Sequence, residues 1–236
     1  MSRKFELLCI TMLGLGQLFM MTGYDTQSFI LESVIHSIHE REPERISQYA
    51  GYYGQAVCYL TYVFSCFLSP SVLNATGPKT TLISICFASF PVGFLFTNSY
   101  YYYFSSALNG VGFALYYTGN GGYLTSHSTR QTIESNASLV WSLGCSCMIV
   151  GAGLMAIITT VTQTVGSTVS ASHTVERRFS DMEIYLLFSV LTGFSILGII
   201  IFMIMPSKDS ENCIEPSDKR IKFYDGIGEF YESMNL

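Results

Sequence analysis

Residues 80 to 129 carry no lysine, arginine, aspartate or glutamate. Residues 46 to 78 carry none either, so Lys79 is the single charge between two empty stretches. Residues 135 to 175 and 184 to 207 are equally bare. A soluble helix alternates a polar face with an apolar one and does not collect its charge into a few islands. A helix that crosses a bilayer needs about 20 mainly apolar residues. Charged residues make up 12% of the 236-residue chain, about half of the roughly 25% found in soluble domains. The pattern reads as an all-α integral membrane protein.

Six transmembrane helices are expected. They cover Phe5 to Ile30, Gln48 to Leu73, Thr80 to Thr97, Tyr101 to Thr125, Ala137 to Ile158 and Met182 to Met205. Pro206 stops the last one. Pro70 and Pro91 fall inside apolar runs, as membrane helices tolerate. The first apolar run, Leu7 to Tyr24, is too long for the core of a cleavable signal. Lysine and arginine orient the bundle. With the N-terminus inside, the inner segments hold Arg3, Lys4, Lys79, Arg130, Lys208, Lys219, Arg220 and Lys222, and the outer loops hold Arg41, Arg45, Arg177 and Arg178. That bias places both termini in the cytoplasm. Tyr100 to Tyr103 then form an aromatic belt at the outer turn, rings buried and hydroxyls wet. Glu40 to Arg45 and Thr159 to Thr174 become outer connections. Asn74-Ala75-Thr76 and Asn136-Ala137-Ser138 match the glycosylation pattern but face the cytoplasm, so neither is expected to carry sugar.

The fourth span ends in an unusual way. Gly119, Gly121 and Gly122 crowd around Asn120. Small residues let helix backbones approach closely in lipid. Three glycines in four residues also weaken a helix, each by about 1 kcal/mol relative to alanine. Tight interhelical packing and a cavity-lining or gating turn both fit.

Candidate cavity or coupling residues are Gln17, Asp25, Gln27, Asn109 and Asn120. An intramembrane carboxylate is costly and points to function. Asp25, with Glu32 seven residues on, has the chemistry to capture a cation or a proton, with Gln17 and Gln27 on the same path. The competing reading sets Asp25 at the outer interface, reaching water, because about 18 residues of helix already cross most of the core. For Asn109 an interhelical hydrogen bond is the expected role. His36 and His39 have no further ligands beside them and read as a solvated helix end. Seven cysteines are scattered, six of them in apolar segments, and Cys145-x-Cys147 is not a zinc or redox spacing. No catalytic constellation, P-loop or dinucleotide fingerprint is present, no cofactor is expected, and no basic patch suits nucleic acid.

Four stretches, "TGYDTQSFILESVIHSIH" (22 to 39), "LSPSVLNATGPK" (68 to 79), "TGNGGYLT" (118 to 125) and "SNASLVWSLGCS" (135 to 146), occur in an order that resembles the Unc-93-like proteins, a branch of the major facilitator superfamily, and in particular its nematode members. The resemblance implies one half of that superfamily's fold, six helices in two inverted three-helix repeats. It also implies a loop motif between helices two and three. Aligned on Gly77, Pro70, Val72, Asn74 and Ala75 stand where Gly, Leu, Asp and Arg are expected, while Gly77 and Lys79 remain. Asn120 replaces a glutamine and Ser135 an arginine, while Asn136 and Trp141 are kept. These departures point away from ordinary ion-coupled transport.

The organisation expected is a transmembrane domain over residues 1 to 206 and a cytoplasmic tail over residues 207 to 236. In the tail, Phe223, Ile227, Phe230 and Met234 share one helical face. This resembles the amphipathic linker that leads to a second half; a truncated isoform, an incomplete gene model and a half that dimerises are the alternatives, with truncation favoured. The resemblance implies a non-enzymatic regulatory or trafficking partner of channels or receptors, in the plasma membrane or endoplasmic reticulum. The alternative is a secondary transporter of a small solute or ion.

Overall fold

A computed structural model describes residues 3–83, 99–165, 179–209 and 212–216, and every regular element in them is helical. The elements are α1 (Arg3–Arg41), α2 (Ala50–Thr76), α3 (Pro78–Leu82), α4 (Ser99–Ser126), α5 (Ile133–Cys145), α6 (Cys147–Val165) and α7 (Asp181–Ile204). Four helices are long and apolar enough to cross a membrane: α1, α2, the Ile133–Val161 stretch formed by α5 and α6, and α7. Charge-free α4 is also long, but its tyrosines, serines, glycines and asparagines keep its hydropathy below that of the other four. Of the expected span Thr80 to Thr97, only the beginning is described, within α3; Pro91, like His173 and the amphipathic stretch after residue 216, lies outside the described residues.

Helix α1 runs well past the expected Ile30. Its 39 residues extend about 58 Å, against about 30 Å of hydrocarbon. The extension holds because Leu31, Val34, Ile35 and Ile38 form an i, i+3, i+4, i+7 stripe, and all four are buried. α1 is the hub of the bundle, packing chiefly on α7 and on α5–α6, while α2 packs on α4. At the α1–α7 crossing the backbones nearly touch. A Cβ on Gly198 would lie 2.9 Å from the Gly16 carbonyl oxygen and 2.9 Å from the Met20 nitrogen, the small-residue contact that lipid favours.

Local chemistry sets the helix ends. Ser180 and Glu183 form a reciprocal capping box at the start of α7. Arg41 fastens the end of α1 to that start, donating to the Phe179 carbonyl at 2.6 Å and pairing with Asp181 at 2.8 Å. Pro70 does not break α2. Proline cannot donate to the carbonyl four residues back, which is Cys66, and the Ser69 hydroxyl donates to that oxygen instead, at 3.3 Å. The expected fifth span lies within one membrane-length stretch, Ile133–Val161, interrupted between α5 and α6 only at Ser146, whose backbone stays near-helical at φ −62° and ψ −13°.

The glycine cluster does not loosen α4, which stays helical through Ser126. Added Cβ atoms on Gly119 and Gly122 would press on Leu82, Leu73 and Pro78, while one on Gly121 would meet nothing. Two of the three glycines therefore admit the α2–α3 corner, which is the packing reading.

Candidate functional site

Helices α1, α2, α4 and the α5–α6 junction line an open-sided cavity of about 460 Å³. Gln17 and Asp25 come from α1, Tyr62 from α2, Phe113 and Tyr117 from α4, and Trp141 from α5. Successive turns of α1 and α4 aim these groups inward. Gln17 and Met21 are four apart, as are Phe113 and Tyr117, and residues at that spacing share a helix face.

Asp25 is partly buried, and the Cys147 thiol donates to its Oδ2 at 3.2 Å. Cys147 lies midway along the Ile133–Val161 span. The carboxylate is therefore level with the middle of an apolar helix pair and not with its end. Cys145 and Cys147, on either side of Ser146, both line the cavity. Among the described residues no cation pairs with Asp25; the ion pairs there include Arg3–Glu6, His36–Glu40, Arg41–Asp181 and Arg45–Glu42.

Gln17 and Asn120, far apart in sequence, meet. Asn120 Nδ2 donates to Gln17 Oε1 at 3.2 Å and lies 2.9 Å from the Tyr116 hydroxyl. This polar node stands at the cavity end nearest Gly144, whose missing side chain leaves room for the Gln17 amide. Asn109 lies outside the cavity and donates to Cys58 Sγ of α2 at 3.4 Å, an interhelical bond. Gln27 is fully buried, and neither amide atom has a hydrogen-bond partner among the described residues. Glu32 rests against Gly51 at the start of α2, two turns from Asp25, and does not share its cavity.

Asn74, Gly77 and Lys79 line a second cavity of about 470 Å³, together with Tyr123, His127 and Asp209. Gly77 has φ 82° and ψ 160°, a region open essentially to glycine. That conformation turns the chain from α2 into α3, with Pro78 at the first helical position. His127, just past α4, is buried and stacks on Tyr123 with ring centres 3.9 Å apart. Burial pushes its pKa below the ordinary value, partly offset by the Tyr123 carbonyl, Asp209 and the Lys208 backbone.

One cluster was not foreseen. Glu6 Oε1 accepts hydrogen bonds from Asn136 Nδ2 at 2.6 Å and Thr132 Oγ1 at 2.5 Å, and pairs with Arg3 at 2.6 Å. Asn136 also donates to Ser128. The sequence held a partial signal, an acid at the threshold of an apolar run three residues after an arginine.

A family model described as "Ion channel regulatory protein UNC-93" matches residues 42–235. The chain is 25% identical over 216 residues to the UNC93-like protein MFSD11 of Xenopus laevis, covering 91% of this chain and 44% of that one. It is 24% identical to the protein of the same name from Xenopus tropicalis, with the same coverage. It thus spans less than half the length of these curated relatives. No solved structure gives a significant match.

Proposed function

This chain belongs to the UNC-93 family of ion channel regulatory proteins, and from that premise we propose that it is a regulatory or trafficking partner of channels or receptors in the same membrane. The observation that carries the reading is the family match over residues 42–235. The outward face of α2 supports it. Leu60, Val63, Phe64 and Phe67 stand exposed along this helix, which is apolar enough to span. Such a face suits lipid and the transmembrane helix of a partner equally.

Six spans with both ends in the cytoplasm, arranged as an N-terminal half of a major facilitator fold, are the topology that fits. Lysine and arginine placement supports it, as does the match to less than half of each relative. Residues 1–206 form the membrane domain and 207–236 the tail, in the plasma membrane or endoplasmic reticulum. The Asn74–Lys79 loop serves here as a structural corner, since no acid stands at Asn74 to pair with a basic group during gating.

A second reading, secondary transport of a small solute, draws on the Asp25 cavity. One experiment separates the two. Proximity labelling from the tagged chain identifies neighbouring channels or receptors, and the chain is then depleted. A changed current or surface density of those neighbours supports regulation. Unchanged neighbours, with solute flux in vesicles carrying the purified protein, would overturn it in favour of transport.

A further inference from the structure

We propose that the cavity between α1, α2, α4 and the α5–α6 junction binds a small monovalent organic cation of the quaternary or tertiary ammonium class. The proposal goes beyond the regulatory reading and holds for a regulator and a carrier alike.

A charge and a wall of rings carry it. The Asp25 carboxylate faces the cavity with no cation beside it among the described residues and accepts a hydrogen bond from the neutral Cys147 thiol. A partly buried carboxylate among apolar walls is more stable opposite a positive charge than alone. Around it the rings make one continuous surface. Tyr24 meets Phe113 edge-on at 4.6 Å, Tyr62 meets Phe113 at 5.9 Å, and Phe113 stacks on Tyr117 at 6.0 Å and 7°. Trp141 stands half exposed at the rim. Aromatic faces attract ammonium groups, and tryptophan does so best.

Other occupants fit less well. A hard metal ion asks for about six oxygen ligands, and no group of three metal-ligating side chains exists among the described residues. An anion would face a carboxylate. A neutral apolar ligand would leave Asp25 without compensation. The volume of about 460 Å³ lies in the range usual for small-molecule sites.

Trp141 is the chain's single tryptophan, so its fluorescence reports on the rim directly. The purified full chain in detergent is titrated with choline chloride, with the neutral isostere 3,3-dimethyl-1-butanol, and with sodium chloride. The expected result is a saturable change in emission with choline, half-complete below about 10 mM, and none with the alcohol or the salt. Asp25→Asn keeps the shape and removes the charge; it should weaken choline binding about tenfold or more, and Tyr117→Leu about threefold or more. Gel filtration and far-ultraviolet circular dichroism establish that each variant is folded. Absence of saturation with choline, an equal response to the alcohol, or unchanged affinity in a folded Asp25→Asn chain overturns the proposal. If a variant does not fold, choline against the alcohol on the unaltered chain decides. Failure here leaves the regulatory reading standing, because that reading is tested on channel currents.

Discussion

Glu6 and Asn136 are joined by a 2.6 Å hydrogen bond, across 130 residues of sequence. The bond closes the start of α5 onto the start of α1. Both side chains are buried, Asn136 at 1% exposure, and three donors, Asn136, Thr132 and Arg3, converge on the one oxygen Oε1 of the buried carboxylate. Glu6→Ala would strip the acceptor from Asn136, Thr132 and Arg3 together. Hydrogen bonds to charged groups contribute about 1.5–3 kcal/mol each, and a stranded buried partner costs about as much. A loss of about 3 kcal/mol is expected, read as a lowered midpoint of thermal unfolding in detergent. Glu6→Gln should lose less, since an amide oxygen still accepts.

The same bond bears on modification. Asn136 Nδ2, the atom a glycan would occupy, is already donating to Glu6 and to Ser128. Treatment of the membrane-expressed chain with an N-glycosidase should leave its mobility on a gel unchanged. A shift that disappears in Asn136→Gln would show that the segment is turned outward before it packs.

Asn120 and Gln17 form the polar node of the cavity. Asn120→Leu removes a bond worth about 1 kcal/mol and leaves the Gln17 carbonyl oxygen without its donor, for a total of about 2 kcal/mol. Asn120→Gln should recover part of this. Chemical unfolding of the two variants in the same detergent checks the order.

The α1–α7 crossing has a built-in control. Gly198→Val forces side-chain atoms against the Gly16 and Met20 backbone, which cannot step aside. Overpacking of this kind costs about 1–3 kcal/mol. Gly193→Val, on the same helix, meets nothing within 4 Å and should be close to neutral. Equal unfolding midpoints for the two would contradict the crossing.

His127 makes stability depend on pH. Burial holds its folded pKa below the ordinary value, about 6.5. Below that ordinary value the unfolded chain binds a proton that the folded chain resists, so acid favours unfolding. The contribution is therefore complete above about pH 6.5 and is lost as pH falls through the folded pKa. Asp209 and the Lys208 and Tyr123 backbones pull the other way and limit the effect. The unfolding midpoint should drop between neutral pH and about pH 5, and His127→Gln should flatten that part of the profile.

Much of the architecture was legible in residue order. The charge-free stretches at 46–78 and 184–207 announced two of the helices apolar enough for lipid, α2 and α7, which start and stop within three residues of the ends expected. The overrun of α1 was harder to see because Asp25 and Glu32 interrupt a stripe that continues to Ile38. The interruption at Ser146 left no proline or charge to mark it. Gln17, Asp25 and Asn120 were singled out because polar atoms at membrane depth need a reason, but residue order could not say which of them meet. Gln27 shares a helix with Asp25 and yet lies buried outside its cavity. Glu32 sits on nearly the same face and serves a different neighbour.

What the sequence alone determined is where the long charge-free segments lie, and a chain that enters lipid must satisfy its backbone within itself, so those segments are helices. Which faces meet was decided by the tertiary structure alone. Rotation of one helix about its axis by a third of a turn would leave every span intact and move Cys147 away from Asp25; the rotation that builds the cavity is held by contacts between helices, Gly198 against Gly16, Gly144 against Gln17, Gly151 against Thr26 and the Glu6–Asn136 bond.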